Sequence, residues 1–194
     1  NINLLDNAEA KQLQQLIIEA EHIVICAHKS PDGDALGSSL AWKSYLNQIG
    51  KTDVTVCMPD AYPDFLQWLP EANTVLRYDK NPEKVQETFN RADLVCCLDF
   101  NQYARVEAMR STLEGCKAKR ILIDHHLEPQ TDNAITISQP NMSSTSEMIF
   151  YIISQLGGYN DMTKDCAQCI YCGMMTDTGG FTYNSTRPEI YFVI

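Results

Sequence analysis

The sequence predicts an α/β fold with a mostly parallel sheet flanked by helices. Two observations carry that prediction. Short apolar runs at residues 22–27, 53–58, 93–98 and 120–123 alternate with longer helix-like segments, the pattern of repeated βαβ units. The chain of 194 residues also has room for one generous α/β domain, or for one domain and a fragment of another.

The elements follow in order. Residues 5–21 read as an amphipathic helix with Leu13, Leu16, Ile17 and Ala20 on one stripe. Residues 22–27 read as a buried strand and 35–49 as a helix stopped by Gly50. Residues 53–58 form the next strand, and 59–71 a loop with a short helix around Phe65. A helix over 82–90 carries Pro82 in its first turn. The strand over 93–98 runs into Asp99, and a helix covers 105–113. The strand over 120–123 runs into Asp124-His125-His126, and 135–137 form a short strand. Residues 146–156 form a helix ended by Gly157-Gly158, and 163–175 another with Thr163 as N-cap. The chain then turns at Gly179-Gly180 and enters a new helix after Pro188.

Composition narrows the function. Hydrophobic residues make up 44% and charged residues 21%, as in an ordinary soluble protein. No apolar run approaches the ~18 residues of a membrane span, so no membrane partner is expected. The first 21 residues lack the basic and apolar regions of a signal peptide, and a cytoplasmic location is expected. The sequence starts without Met, which leaves upstream trimming open. The net charge of −10, with 15 scattered Lys and Arg, argues against long duplex DNA, whose binding needs a basic stripe. A small anionic substrate fits if bound cations override the local negative charge. Without a secretion signal, the eight cysteines predict no disulfide framework. Those at 26, 57, 96 and 97 lie in strand-like runs and read as small buried hydrophobes. The Cys166-x2-Cys169-x2-Cys172 spacing can suit an iron–sulfur cluster. It lies in a helical pattern, however, with the thiols on one face, and buried packing is the preferred reading.

The chemistry gathers at strand ends. His28, Asp32 and Asp34 follow the first strand, Asp99 a later one, and Asp124, His125 and His126 another, while Asp177 precedes a glycine turn. Open α/β sheets bind ligands beyond the carboxyl ends of their strands. So many carboxylates at one edge repel one another unless cations are present. Oxygen and imidazole donors without thiolate favour Mn²⁺, Mg²⁺, Fe²⁺ or Zn²⁺. Each feature has a plainer reading: Asp32 and Asp34 as a turn and N-cap, Asp99 as a cap, His125-His126 as a surface pair. Their joint occurrence favours a metal centre. Arg105 reads equally as a phosphate clamp or a solvated helix residue. Ser144 precedes a helix that such residues more often simply cap, and it is kept as a candidate substrate contact.

The motifs His28-Lys-Ser-Pro-Asp32-Gly-Asp34-Ala-Leu-Gly-Ser38, Leu98-Asp99, Asp124-His125-His126 and Thr176-Asp177-Thr-Gly179 resemble the ordered motifs of the DHH phosphoesterases over residues 20–185. Gly173-Met-Met-Thr-Asp177-Thr-Gly-Gly-Phe181 resembles the branch that degrades short oligoribonucleotides and dephosphorylates 3′-phosphoadenosine 5′-phosphate. The resemblance implies a DHH catalytic domain over residues 1–185. Residues 186–194 would begin a linker helix toward a second domain, DHHA1, that this chain lacks. It implies two divalent cations, with Mn²⁺ the expected ion and Mg²⁺ or others as alternatives. His28, Asp32 and Asp99 would hold one, and Asp34, Asp99, His125 and Asp177 the other, with Asp99 bridging. Asp99, His126 and Asp124 would carry catalysis, through an activated hydroxide. His126, Arg105 and Ser144 would meet the substrate, and Asp124 would fix a histidine tautomer. The expected partner is a short oligonucleotide or nucleotide, and a homodimer is compatible with the chain. Cyclic dinucleotide hydrolysis, pyrophosphatase or exopolyphosphatase action, and a non-catalytic nucleotide sensor are the alternatives.

Overall fold

The computed structural model describes residues 2–194. Six strands, β1 (Ile23–Cys26), β2 (Val54–Met58), β3 (Leu76–Arg77), β4 (Leu94–Leu98), β5 (Lys119–Asp124) and β6 (Ile135–Ser138), form one sheet. Every pairing is parallel, in the order β3-β2-β1-β4-β5-β6. The helices are α1 (Asn7–Glu19), α2 (Gly33–Gln48), α3 (Pro82–Arg91), α4 (Arg110–Gly115), α5 (Thr145–Gln155), α6 (Lys164–Asp177) and α7 (Ile190–Val193).

Strand alternation divides the interior into two cores. Ile23, Ile25, Val56, Leu94, Cys96, Ile121 and Ile123 face α1, α2, α5 and α6. Val24, Cys57, Val95, Cys97 and Leu122 face α3, α4 and the segment before α4. Helices thus cover both faces, which is why the strands read as continuous apolar runs. The chain moves outward from β1 to β3, then returns beyond β1 to β4. The carboxyl ends of β1 and β4 therefore form a topological switch point, where an open α/β sheet places its ligands.

Local signals define the helix ends. Asp6 and Glu9 make a reciprocal capping box on α1. Thr163 caps α6 by accepting from Cys166 N at 3.1 Å. Gly50, at φ 93°, supplies the left-handed residue after α2.

Three stretches depart from expectation. Residues 103–109 are a 3-10 segment, bent where Glu107 takes φ 41°, rather than the start of a helix over 105–113. Tyr103, Val106, Met109 and Thr112 are buried at a spacing of three, which suits the 3-10 repeat better than the α-helical one. The two-residue β3 is half-buried at the sheet edge, too short to show a pattern. α6 runs through Asp177, so that residue sits on the last helical turn. At the C-terminal end, α7 buries Ile190 completely in the core beside α5, while Tyr191, Phe192 and Ile194 are exposed.

All eight cysteines are buried free thiols. Cys166, Cys169 and Cys172 turn inward from α6, and Cys166 Sγ lies 3.5 Å from the Ala41 carbonyl of α2. Cys169→Ser is expected to leave cation content unchanged while costing about 1–3 kcal/mol through its buried hydroxyl. Thermal melts and elemental analysis check this; iron that disappears with the substitution would contradict it.

Candidate metal centre

The site begins two residues beyond β1. His28 donates its Nδ1–H to the Lys29 carbonyl at 2.7 Å, so its Nε2 faces Asp99 Oδ2 at 3.4 Å and Asp32 Oδ1 at 3.8 Å. Asp32 also caps α2, its Oδ1 accepting from Asp34 N at 3.0 Å and Ala35 N at 2.9 Å. The N-cap and ligand readings of Asp32 are thus compatible, because its carboxylate remains 56% exposed.

Asp34 points the other way and is fully buried. Its carboxylate takes the two backbone donors that open α5, Thr145 N at 2.7 Å and Ser146 N at 2.8 Å. A helix N-terminus holds an anion well, and here the anion is a side chain from α2. Ser144 is buried and spends its hydroxyl on Glu147 N at 3.0 Å. The geometry matches the capping reading of Ser144, whose side chain is fully buried.

Asp99 follows β4 in the left-handed region at φ 63°, where a short polar side chain is tolerated better than most. It is buried, and its Oδ1 accepts from Thr145 Oγ1 at 3.0 Å. His125, just past β5, donates Nδ1–H to the Met142 carbonyl at 3.3 Å. Its buried Nε2 has no hydrogen-bond partner, yet Asp177 Oδ2, Asp99 Oδ1 and Asp34 Oδ2 stand at 3.3, 3.6 and 3.8 Å. An orphaned imidazole nitrogen amid three carboxylates, its other nitrogen fixed on a carbonyl, is the arrangement a divalent cation requires.

Three trios each bring one donor atom per residue within 4.8 Å of one another: His28–Asp32–Asp99, Asp34–His125–Asp177 and Asp99–His125–His126. Asp99 belongs to the first and third and lies beside the second through His125. His126 is the most open of the three histidines, with 43% of its side chain exposed. Fully buried Asp124 accepts from its Nδ1 at 2.7 Å and from its backbone N at 2.9 Å, which orients Nε2 outward. Arg105 is exposed, and its carbonyl accepts from Lys29 N at 2.8 Å. It thus stands beside the loop of His28, with no ion pair or hydrogen bond of its guanidinium among the described residues.

Sequence reasoning assigns no supporting role to Ser146 or Gly173, and it places Thr145 at an anion-holding helix start without identifying Asp34 as the anion. A Cβ on Gly173 would strike the Ser146 side chain and come within 2.9 Å of Asp34 Oδ1. The Ser144-x-x-Glu147 pattern was the available signal, since it marks a helix N-terminus. Nothing local announced that the terminus would face Asp34.

The electrostatics follow from this crowding. Burial, then Asp34, Asp32, Asp177 and Asp124, push the Asp99 carboxyl well above its usual range. Burial and Asp177 raise Asp34 to about 7 against the opposing pull of His125. Burial acts to lower His125, but Asp177, Asp34 and Asp124 outweigh it and lift the imidazole to about 9. Both folded values exceed the ordinary 3.8 and 6.5. The stability these groups contribute is therefore present at low pH and lost as pH rises through about 7 and about 9. A cation needs Asp34 ionised and His125 neutral, so binding releases protons. Metal-free protein is expected to melt lower at about pH 8 than at about pH 6, with the increment given by Mn²⁺ larger at about pH 8. Calorimetric melts at the two pH values check this; an increment that shrinks with rising pH would contradict it.

Comparison with known proteins agrees with this architecture. Residues 22–174 match the DHH family, N-terminal domain, and the chain belongs to that family. It is 32% identical over 168 residues to the bifunctional oligoribonuclease and PAP phosphatase NrnA of Thermus thermophilus, covering 87% of this chain and 47% of that protein. It is 30% identical to the protein of the same name from Bacillus subtilis, covering 86% and 49%. The chain thus spans about half the length of these curated relatives. A crystal structure of an exopolyphosphatase-related protein from Bacteroides fragilis superposes with a TM-score of 0.96 at 44% identity, covering all of this chain and 56% of that one. Among the described residues, no helix is long and apolar enough to cross a membrane.

Proposed function

We propose that this chain carries the catalytic unit of a two-cation phosphoesterase acting on short oligoribonucleotides and 3′-phosphorylated nucleotides such as 3′-phosphoadenosine 5′-phosphate. The observation that carries the reading is the buried carboxylate of Asp99 standing between His28 on one side and the orphaned His125 Nε2 on the other. In this reading His28, Asp32 and Asp99 hold one cation, and Asp34, Asp99, His125 and Asp177 hold the second, with Mn²⁺ the expected ion. Bound cations supply Lewis acidity toward the phosphoryl oxygens and lower the pKa of water.

The remaining work falls to the chain. The α5 N-terminus fixes Asp34 before substrate arrives, which limits rearrangement during reaction. His126, aligned by Asp124, offers Nε2 to the substrate and, when protonated, donates to a phosphoryl oxygen as negative charge builds. Arg105 supplies a planar fork for a neighbouring phosphate. The substrate choice draws on the two NrnA relatives. The resemblance to an exopolyphosphatase-related protein supports polyphosphate as the second reading.

A substrate panel with Mn²⁺ separates them, run on both the 194-residue chain and the full gene product. Dinucleotides and 3′-phosphoadenosine 5′-phosphate are expected to turn over faster than cyclic dinucleotides, pyrophosphate or polyphosphate. Preference for polyphosphate would select the second reading. Saturable binding of two ions without turnover of any ester by the full gene product would support a nucleotide sensor instead.

A further inference from the structure

We infer that Arg187 and Glu147 are positioning residues that hold Asp34 and Asp177 in register for the cation they would share; the inference rests on the metal-centre reading above. Glu147 lies in the first turn of α5 and is fully buried. It does not complete the capping box that its spacing from Ser144 offers. Its Oε2 accepts from Ser143 N and Ser143 Oγ, both at 2.8 Å, and its Oε1 accepts from the Arg187 guanidinium. A buried carboxylate paired with one arginine is costly to leave unpaired, so the contact binds the two segments firmly.

Each segment leads to a member of one trio. On the Glu147 side, the same turn of α5 presents Thr145 N and Ser146 N to Asp34. On the Arg187 side, the chain runs back through residues 178–186 to Asp177 at the end of α6. The third member joins at the same node. His125 Nδ1 donates to the Met142 carbonyl, and the Met142 sulfur lies 3.4 Å from the Arg187 guanidinium. Asp34, His125 and Asp177 therefore meet on one side at the candidate cation site and on the other at the Arg187–Glu147 pair.

The intervening loop gives the pair something to restrain. Gly179, Gly180, Phe181 and Asn184 all take positive φ, at 54°, 68°, 66° and 49°. For a bulky aromatic such as Phe181 that backbone is unfavourable and persists only where surrounding structure imposes it. Arg187 ties down the far end of this loop. Loss of the tie lets the loop relax, and Asp177 leaves its place 3.3 Å from His125 Nε2. His28 and Asp32 lie on the other side of the centre, in the β1–α2 loop, and make no contact with the pair. The effect should therefore be selective for one cation.

The test is a calorimetric titration of Mn²⁺ into the metal-free chain, paired with a melt of each metal-free protein. The proteins are wild type, Arg187→Ala, Arg187→Lys and the double variant Arg187→Met/Glu147→Gln. The double variant leaves no unpaired buried charge and serves if Arg187→Ala folds poorly. Arg187→Ala and the double variant are expected to weaken one of two binding events by about tenfold or more, and the other by less than about threefold, as for a lost hydrogen-bonding partner behind a metal ligand. Arg187→Lys, which keeps the charge, should recover most of the loss. Lower melting temperatures with both binding events intact would make the pair a structural clip only and overturn the inference, as would equal weakening of both events. Wild-type protein that binds no Mn²⁺ would instead remove the metal-centre reading itself, and this inference with it.

Discussion

Asp99→Asn is expected to lower hydrolysis by at least ~10³-fold, beyond the ~10²–10³ that loss of a single charge-stabilising donor costs. His126→Ala, which spares the cation ligands, should cost about 10²-fold. The difference follows from position: Asp99 faces His28 with one oxygen and His125 with the other, so its loss disturbs both proposed cation sites. Asparagine is the cleaner probe. It keeps the shape and tolerates the left-handed backbone at φ 63°, whereas Asp99→Ala adds about 1–2 kcal/mol of strain to the same chemical loss. A second readout moves the opposite way. Asp99 is buried among like charges that oppose its ionisation. Removing the charge should therefore raise the melting temperature of the metal-free protein near neutral pH while abolishing most of the stabilisation given by Mn²⁺. Active sites often hold such trade-offs between stability and function. Near-normal turnover by Asp99→Asn would contradict the account.

Gly173→Ala is expected to be the most damaging single-methyl change in the protein. The new Cβ would overlap the Ser146 side chain and come within 2.9 Å of Asp34 Oδ1. Both neighbours are buried, and Asp34 is held from behind by two backbone donors. Relief requires α6 to move away from α2 and α5, and overpacking of this kind costs about 1–3 kcal/mol. That movement carries Asp177 with it, since Asp177 ends the same helix. Stability and cation affinity should fall together. Gly37→Ala offers a control on the same helix pair: its Cβ would lie 2.5 Å from the Cys169 carbonyl and contacts none of the candidate ligands. It should lower the melting temperature comparably with a smaller effect on Mn²⁺ affinity. Equal effects of the two substitutions on cation binding would show that Gly173 matters only for packing.

These expectations mark where sequence reading stops. The parallel sheet was legible because each strand is a compact apolar run, as in the Leu94–Leu98 strand. The candidate ligands were legible because they follow those runs directly: His28 after β1, Asp99 after β4, His125 after β5. The supporting layer was not. Gly37 and Gly173 lie in helical patterns, where a glycine read locally only weakens the helix. Their purpose is the close approach of α2 to α6, which exists only once the chain has folded. Ser144 to Glu147 carried a helix-start signal that was read correctly as local structure, but not that its free N–H groups face Asp34 from 111 and 112 residues away. Arg187 showed no pattern at all, because a single arginine acquires meaning from the buried carboxylate it meets. The helix expected over 105–113 overlooks that the buried residues Tyr103, Val106, Met109 and Thr112 recur every three.

In the proposed centre six side chains, Asp99 and the five around it, bind two cations. Calorimetric titration of Mn²⁺ into the metal-free chain at about pH 8, where proton release favours binding, tests this most directly. Two ions per wild-type chain are expected, and at most one tightly bound ion in Asp99→Asn. Two ions bound equally tightly by both proteins, or none by the wild type, would contradict the proposed centre.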